Sequence, residues 1–343
     1  MLIKPKKLQP GDTVATVSPS WGGAGEPDLR WRYEQGVERL ENVFGLNVVP
    51  MPNSLKGAEY LYQNPQARAE DLMTAFRDEK VKAIFANIGG SDSIRLLPYI
   101  DFDVIRDNPK IFVGYSDNTI SHLFCLKAGV SSFYGPAVMV DFAENVEMDP
   151  YTIEMVKRTF FSNDIIGEIK PAEEWTSEHL RWEEGNKSQR RSMNKNSGYE
   201  VLQGSGSIQG RLMGGCIEVL EFAKETEIWP AREYWNESIL FFETSEEKPK
   251  PEYITYWLRN YAAQGILQNV KGIIFGKPQD EMYYEEYKQE ILQVMKEYDL
   301  EGLPILYNLN FGHTEPKIIL PYGALAEIDC DGGAFSILES GVE

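Results

Sequence analysis

Ser116, Glu243 and His313 are side chains whose types could form a nucleophilic triad. In such a triad a histidine takes the proton of a serine hydroxyl, and a carboxylate orients the histidine. Ser116 follows a short apolar run, Glu243 directly follows the apolar run 239–242, and His313 lies in the loop sequence Asn-Phe-Gly-His-Thr-Glu-Pro. The three residues are far apart along the chain, so the sequence alone does not show that they meet. Glu243 could instead cap a helix or form a salt bridge.

Ser116 stands between a predicted strand and a predicted helix, where a serine is usually an N-cap. Asp117 and Asn118 could cap the helix equally well, which leaves Ser116 free for chemistry. The stretch Gly-Tyr-Ser-Asp-Asn is similar to the nucleophile turn G-x-S-x-G, except that it ends in Asn rather than Gly. A serine at a helix N-terminus lies near the positive end of the helix dipole, and the next backbone N–H could stabilise an oxyanion.

Histidine is scarce in this chain, which has only three. His122 lies six residues beyond Ser116 on the same predicted helix and faces another side, so we interpret it as structural. His179 lies in a charged segment and is expected to be solvated. His313, at the end of an apolar strand, is placed to protrude into a crevice.

The elements that must position these residues are predicted from hydrophobic periodicity. Strand-like and helix-like segments alternate along the first half, which predicts a parallel sheet with crossover helices. Ligands bind beyond the carboxyl ends of such strands, where Gly89, Gly90 and Ser116 fall. The second half is also α/β, with a closing hairpin around residues 331–333. We predict an α/β fold of two domains: an N-terminal flavodoxin- or Rossmann-like parallel sheet and a C-terminal α/β domain with a mixed sheet.

A polar, charged and weakly periodic segment at residues 162–206 separates the two halves, and it carries Trp175 and Trp182. We interpret this segment as a long inter-domain linker or substrate loop. The predicted domains on either side of it are residues 1–161 and residues 207–343.

The composition excludes several classes of protein. The chain has 34 basic and 53 acidic residues, a net charge of −19, which argues against nucleic-acid and anionic-membrane partners. No stretch approaches the roughly 18–20 apolar residues of a membrane span, and no apolar run follows the basic N-terminus as in a signal peptide. Three widely spaced cysteines suit a reducing cytoplasm rather than disulfides or a zinc site. We expect a cytoplasmic protein that needs no metal and no cofactor.

Six motifs occur in order along nearly the whole chain: NIGGSDS (87–93), GYSDNT (114–119), FYGPA (133–137), GRLMGGC (210–216), FFETSEEKP (241–249) and FGHTEPKIILPYG (311–323). As a set they resemble the LD-carboxypeptidase family of serine peptidases, which includes the microcin C immunity proteins. The resemblance implies that Ser116 is the nucleophile, His313 the base and Glu243 the orienting acid. It also implies an oxyanion hole formed by the backbone N–H groups of Gly90 and Asp117.

The glycine loop NIGGSDS is where two branches of that family differ. The peptidoglycan-recycling enzymes have an arginine-led, tyrosine-containing loop there, so this chain is more similar to the microcin C immunity branch. That implies a homodimer that hydrolyses the bond between a C-terminal aspartate, or another aminoacyl group, and a modified nucleotide. It further implies a tryptophan stacked on the nucleobase, with Trp182 the candidate and Trp175 the reserve, and substrate contacts from Lys248 and Ser91.

Two alternative functions stay open at this point. A muramoyltetrapeptide LD-carboxypeptidase of peptidoglycan recycling, acting on a peptide substrate, would use the same triad. A non-catalytic protein could bind a nucleotide or a sugar in an open α/β crevice, although a binding protein has no reason to keep all three triad groups. Trp182 could also be a solvated surface residue, and Lys248 an exposed residue that caps a helix.

Overall fold

The computed structural model describes residues 1–343. Its strands are β1 (Thr13–Val17), β2 (Asn47–Pro50), β3 (Val81–Ala86), β4 (Ile111–Gly114), β5 (Phe133–Tyr134), β6 (Gly167–Ile169), β7 (Glu174–Trp175), β8 (Asn194–Lys195), β9 (Glu200–Gln203), β10 (Ser207–Cys216), β11 (Ser238–Glu243), β12 (Gly272–Gly276), β13 (Ile305–Leu309), β14 (Leu320–Pro321), β15 (Leu325–Asp329) and β16 (Ala334–Ile337). Its α-helices are α1 (Arg30–Phe44), α2 (Ala58–Gln63), α3 (Pro65–Arg77), α4 (Phe102–Asp107), α5 (Thr119–Lys127), α6 (Pro150–Phe160), α7 (Ile217–Ala223), α8 (Arg232–Trp235), α9 (Pro251–Ala263) and α10 (Tyr284–Glu297).

The first sheet has the strand order β14-β5-β4-β3-β1-β2 and is parallel except for β14, which pairs antiparallel with β5. Strands β3 and β4 are apolar and almost wholly buried, as expected for a parallel sheet covered on both faces. Because β3 and β4 are parallel neighbours, the glycine loop after β3 and the serine turn after β4 emerge at the same edge. The predicted N-terminal parallel sheet is confirmed.

The second sheet has the order β6-β16-β15-β10-β11-β12-β13-β9. Strands β10 to β13 form a parallel centre, and the flanking strands pair antiparallel, including the β15–β16 hairpin. The predicted mixed sheet of the second half is therefore confirmed. β11 lies in the parallel centre, and all its residues are buried. Its last residue, Glu243, therefore lies at the carboxyl end of the strands, the end at which open α/β sheets bind ligands.

Local sequence signals explain several element ends. Helix α1 ends at Gly45, whose φ of 71° is the left-handed conformation that favours glycine. Helix α9 begins with Pro251, which is favourable at the first helical position. The apolar stretch at residues 131–138 forms only the two-residue strand β5, and the chain then enters a π-helical turn at Val138–Phe142 that packs on α1.

Residues 162–206, which we predicted to be a linker or loop, contribute strands to the second sheet. β6 lies at one edge of that sheet and β9 at the other, while β7 and β8 form a separate two-stranded ribbon. These strands are short and partly exposed, so their residues lack the apolar alternation that would have revealed them. β14 lies within residues 207–343 but pairs with β5 of the first sheet, and β6 and β9 lie within residues 162–206 but pair with strands of the second sheet. The sheets therefore do not follow the segment boundaries that we predicted.

Candidate active site

Ser116 lies in the sharp turn between β4 and α5, at the start of a 3₁₀ turn over Ser116–Asn118. Its φ is 63°, a left-handed conformation that is unusual for a residue with a side chain and is a known feature of nucleophile turns. Its Oγ is 3.1 Å from Nε2 of His313. Gly89 packs so closely that an added Cβ would lie 2.9 Å from Ser116 Cβ, so the glycine allows the loop to approach.

His313 joins the serine to Glu243. Its Nδ1–H donates to Glu243 Oε2 at 2.7 Å, which leaves Nε2 facing the serine hydroxyl. Glu243 is 2% exposed. Gly312, with φ of 94°, leaves room for this carboxylate, since an added Cβ would lie 2.8 Å from Glu243 Cβ. The structure therefore brings together the three residues that the sequence nominated.

Tyr134 is a member of this site that sequence reasoning missed. Its hydroxyl donates to Glu243 Oε1 and accepts the Ser116 N–H at 3.0 Å. Burial, followed by the Glu243 charge, raises the pKa of Tyr134 well above its ordinary value, so the hydroxyl keeps its proton and remains a donor. Tyr134 thus ties the triad carboxylate to the backbone of the nucleophile turn. The available signal was the FYGPA motif, in which Tyr134 ends a short strand.

The side chain of Asp117 fastens the glycine loop to the nucleophile turn. Its Oδ2 accepts the Ser20 hydroxyl and, at 2.9 Å, the Ser93 N–H. Burial raises the pKa of Asp117. The backbone at Gly89 lies against the turn, since an added Cβ there would be 3.1 Å from Ser116 Oγ and 3.6 Å from the Asp117 nitrogen. The loop that carries Gly90 is therefore held beside the serine hydroxyl.

A second carboxylate reaches the histidine from the cavity side. Glu246 Oε2 is 2.8 Å from Nε2 of His313, the same nitrogen that faces Ser116. Burial alone would lower the pKa of His313, but Glu243 and Glu246 together outweigh burial and raise it to about 10. The hydrogen bond from His313 lowers the pKa of Glu246 to about 2. Both ring nitrogens of His313 therefore face carboxylates, and these favour its protonated form.

The triad opens into a cavity of about 540 Å³. One wall is the segment Ser177–Trp182, and the partly exposed Trp182 ring faces the Arg32 guanidinium at 4.6 Å from the ring centroid. Arg32 is held by the Met139 carbonyl at 2.7 Å and by Asn145 Oδ1 at 2.9 Å. The cavity therefore combines a nucleophile at one side with an aromatic face and a cation at another.

Three residues nominated for substrate contact lie elsewhere. Trp175 is 4% exposed and packs under Lys277, whose Nζ is 4.3 Å from its ring centroid. Lys248 forms an ion pair with Asp280 and does not line the cavity. Ser91 is exposed and does not line it either. Of the nominated substrate contacts, only Trp182 faces the cavity.

The other two histidines differ in environment. His122 is fully buried, with Nδ1 2.9 Å from Ser132 Oγ and Nε2 2.9 Å from the Gly114 carbonyl oxygen. Burial lowers the pKa of His122 to about 3, so it packs as a neutral ring beneath the nucleophile turn. His179 is exposed, as we expected, and it also lines the cavity beside Trp182, with ring centroids 6.3 Å apart.

A chain of charges holds the cavity wall in place. Arg191 bonds Glu144 and, at 2.9 Å, Glu315. Glu315 also bonds Lys317 at 2.7 Å, and Lys317 bonds Asp141 at 2.9 Å. These buried or half-buried groups connect the long segment after Trp182 with the loop that carries the histidine, so the wall is anchored to the triad. Sequence reasoning missed this network because its partners are far apart along the chain.

Two other kinds of feature are absent from the structure. No group of three or more His, Cys, Asp or Glu side chains is arranged to hold a metal ion. None of the helices has the length and apolar character needed to cross a membrane.

The fold and the grouped serine, histidine and glutamate are those of a two-domain α/β serine hydrolase. The chain belongs to the LD-carboxypeptidase family of serine peptidases: residues 14–135 match the N-terminal domain of that family and residues 209–328 match its C-terminal domain. Among curated proteins it is 29% identical to the microcin C7 self-immunity protein MccF of Escherichia coli, over 97% of this chain and 94% of MccF.

Solved structures of the same family are similar along the whole chain. An MccF-like protein from Streptococcus pneumoniae, in complex with AMP, has a TM-score of 0.88 and 34% identity, covering 95% of this chain and 98% of its own. A structure of MccF in complex with aspartyl sulfamoyl adenosine has a TM-score of 0.83 and 26% identity, covering 99% and 100%. The similarity therefore extends over both domains and the segment between them.

Proposed function

We propose that this protein is a serine peptidase that hydrolyses the amide-type bond between an aspartyl, or related aminoacyl, group and a modified nucleotide. The observation that carries the proposal is the array of Ser116, His313 and Glu243 at one side of a cavity whose wall presents Trp182. MccF, a relative over nearly the whole length, is named for microcin C7 self-immunity. A detoxifying role of that kind is the biological part of the proposal.

In the acylation step Ser116 Oγ attacks the scissile carbonyl carbon, and His313 Nε2 takes the hydroxyl proton. Glu243, on Nδ1, keeps the ring in the tautomer that leaves Nε2 free to accept, and stabilises the imidazolium that forms. The tetrahedral intermediate then collapses, the carbon–nitrogen bond breaks, and His313 returns its proton to the leaving nitrogen. The products of this step are the Ser116 ester and the released nucleotide amide.

The oxyanion of the intermediate requires two donors, for which we propose the N–H groups of Gly90 and Asp117. Support comes from the glycine loop lying against Ser116, and from the Asp117 side chain that fixes that loop. Water then attacks the ester carbonyl carbon while His313 takes its proton. The bond from that carbon to Ser116 Oγ breaks, His313 returns the proton to Oγ, and the aspartate leaves with a free carboxyl group. Each step uses atoms that the array and water supply, so the proposed mechanism needs no cofactor.

For the nucleotide end of the substrate we propose Trp182 as the platform for the base. The ring lines the same cavity as the triad and is partly exposed, which leaves a face available for stacking. Two related structures are described as complexes with AMP and with aspartyl sulfamoyl adenosine, so this fold accepts nucleotide-like ligands. Lys248 and Ser91 do not line the cavity and have no part in the proposal.

The experiment that tests the proposal compares two substrates with the same enzyme. Turnover is measured side by side for aspartyl sulfamoyl adenosine and for a muropeptide tetrapeptide stem. Hydrolysis of the nucleotide substrate, with little release of D-alanine from the stem, is the expected result. The reverse preference would establish the alternative that the family name itself raises, an LD-carboxypeptidase of peptidoglycan. Absence of any turnover would favour a binding protein.

Replacing Trp182 by alanine is expected to lower kcat/KM for aspartyl sulfamoyl adenosine. The expected loss corresponds to about 1–3 kcal/mol of binding free energy in the transition state, the contribution of one stacking contact. Turnover of a small aspartyl amide that lacks the base should barely change, because the triad is untouched. The ratio of the two substrates is the measurement, since it cancels general destabilisation. Trp175→Ala is the matched control: the buried Trp175 lies outside the cavity, so its removal should cost stability without changing the ratio.

A homodimer and a cytoplasmic location complete the proposal. Cys125, Cys216 and Cys330 are free and buried, which suits a reducing compartment. Light scattering coupled to size-exclusion chromatography measures the oligomeric state, and a monomer at the working concentration would remove the dimer from the proposal.

A further inference from the structure

Arg32 is a buried cation beside the cavity, and it forms no ion pair with a carboxylate. The side chain belongs to α1, is 5% exposed and lines the cavity. Its Nε donates to the Met139 carbonyl oxygen at 2.7 Å and its Nη1 to Asn145 Oδ1 at 2.9 Å, and both acceptors are neutral. Burial lowers the pKa of Arg32 to about 10, so the guanidinium keeps its charge at pH 7. A buried charge is costly unless another group compensates it.

The Trp182 ring supplies part of that compensation. The guanidinium carbon of Arg32 lies over the indole, 4.6 Å from the ring centroid. This distance is typical of a cation–π interaction, which is strongest for tryptophan and gains strength when the cation is shielded from water. Because Arg32 covers one face of the partly exposed ring, the opposite face is the one available to a ligand.

The backbone of Trp182 is fastened to the same helix. Trp31 Nε1 donates to the Trp182 carbonyl oxygen at 3.3 Å. Asn145 joins the helix to the segment as well, because its Oδ1 accepts from Arg32 and its Nδ2 donates to the Asn186 carbonyl oxygen at 3.1 Å. These bonds fix the path of the chain at residue 182, but they leave the side-chain torsions of the indole unset. The contact with Arg32 acts on the ring itself.

His179 also lies beside the ring. Its centroid is 6.3 Å from that of Trp182, and the two ring planes are tilted by 44°. His179 is exposed, whereas the Arg32 guanidinium is buried and fixed by two hydrogen bonds. Of these two neighbours, Arg32 therefore has the rigidity to hold the indole in one orientation.

We propose that Arg32 is a positioning residue that holds the Trp182 indole in the orientation in which its open face meets the nucleobase. The inference rests on the proposed function, in which that face stacks on the base. Arg32 acts through the ring and not by contact with the substrate. Without the guanidinium the indole would occupy several rotamers, and the apparent affinity would fall by the fraction that stays competent to stack.

The first measurement follows the ring without any substrate. The chain has seven tryptophans, so 5-fluorotryptophan labelling gives a small set of ¹⁹F resonances, and Trp182→Phe identifies the one from Trp182. In Arg32→Met that resonance should shift and change in linewidth, because the cation has left the ring face and the ring samples more than one rotamer. Arg30→Met is the matched control and should leave the resonance unchanged. Arg30 lies on the same helix but is 42% exposed, pairs with Glu34 and is outside the cavity.

The second measurement is a double-mutant cycle on kcat/KM for aspartyl sulfamoyl adenosine. Arg32→Met alone should lower kcat/KM by about 3- to 10-fold, since an indole has a handful of rotamers to occupy. Added to Trp182→Ala, it should cause no further loss, because no ring is left to position. Arg32→Lys keeps a cation but lacks the planar fork, so its loss should be smaller than that of Arg32→Met. Arg32→Lys also carries both measurements should the methionine variant fail to fold.

Two results would overturn the inference. One is a Trp182 resonance that stays unchanged in a folded Arg32 variant. The other is a loss from the Arg32 substitution that persists in full in the Trp182→Ala background, which would show that Arg32 contacts the anionic part of the substrate directly. Wild-type enzyme that cleaves a peptide stem but not the nucleotide compound would instead overturn the proposed function. The ¹⁹F resonance would then still report whether Arg32 holds the ring, so the two failures are distinguishable.

Discussion

Replacing Ser116 by alanine is expected to reduce kcat by roughly 10⁴- to 10⁶-fold while the protein stays folded. The loss should be this large because, in the proposed mechanism, the hydroxyl forms the covalent intermediate, so that pathway is closed once it is removed. The fold should tolerate the change, since Ser116 Oγ hydrogen-bonds His313 and no other protein group. Turnover of aspartyl sulfamoyl adenosine, with circular dichroism and a Tm on the same sample, gives the measurement.

Ser121→Ala is the matched control for Ser116→Ala. Ser121 lies on α5, is as buried as Ser116, and its Oγ has no hydrogen-bond partner. Removing a buried hydroxyl that bonds nothing should be neutral or slightly stabilising, and activity should be retained. Wild-type turnover in folded Ser116→Ala, or a fluorophosphonate that labels a different serine, would contradict the assignment of the nucleophile.

The main part of the fold could be predicted from the sequence because each central strand is marked by a run of apolar residues. β4, β11 and β12 are mainly apolar and wholly buried, and β3 differs only at the exposed Lys82 near its start, as expected for strands covered on both faces. β14 was not predictable in the same way, since two residues acquire strand geometry only by pairing with β5 from the other half of the chain. The edge strands of residues 162–206 were missed for the same reason.

The residues of the candidate site also fall into two groups, those that the sequence could nominate and those that it could not. Ser116, Glu243 and His313 could be nominated because their residue types restrict the chemistry and their motifs mark strand ends. Tyr134 and Glu246 could not be nominated, since a tyrosine in a short strand and a glutamate in an acidic loop have many ordinary roles. Their importance depends on which atoms they reach, and only the folded chain shows that.

Lys248 shows the opposite situation. The resemblance implies a substrate contact for it, because it matches a lysine of the family motif, but the loop turns at this point and the lysine has a φ of 49°. Its side chain then pairs with Asp280, which also accepts the Ser177 hydroxyl at 2.6 Å. A match to the motif therefore did not by itself place this side chain in the cavity.

Glu243→Gln is expected to lower kcat by roughly 10³- to 10⁴-fold, more than its small change in structure suggests. The carboxylate accepts two hydrogen bonds, from His313 Nδ1–H at 2.7 Å and from the Tyr134 hydroxyl. A carboxamide has one acceptor oxygen, so one of these donors must face an NH₂ group. If the oxygen stays on Tyr134, the amide donates to Nδ1, the ring proton moves to Nε2, and His313 can no longer accept from Ser116.

Glu243→Gln also separates the two effects of this carboxylate on His313. Removing the charge lowers the pKa of His313, which by itself would increase the neutral fraction at pH 7 and raise the rate. A fall in kcat at every pH would therefore show that control of the tautomer outweighs control of the pKa. Tyr134→Phe is the comparison, because it removes one donor but keeps the carboxylate, and about a 10-fold loss is expected there. Should Glu243→Gln instead gain activity at neutral pH, the carboxylate would act mainly by setting the charge of the histidine. The role proposed for Glu243, holding the tautomer of His313, would then be wrong.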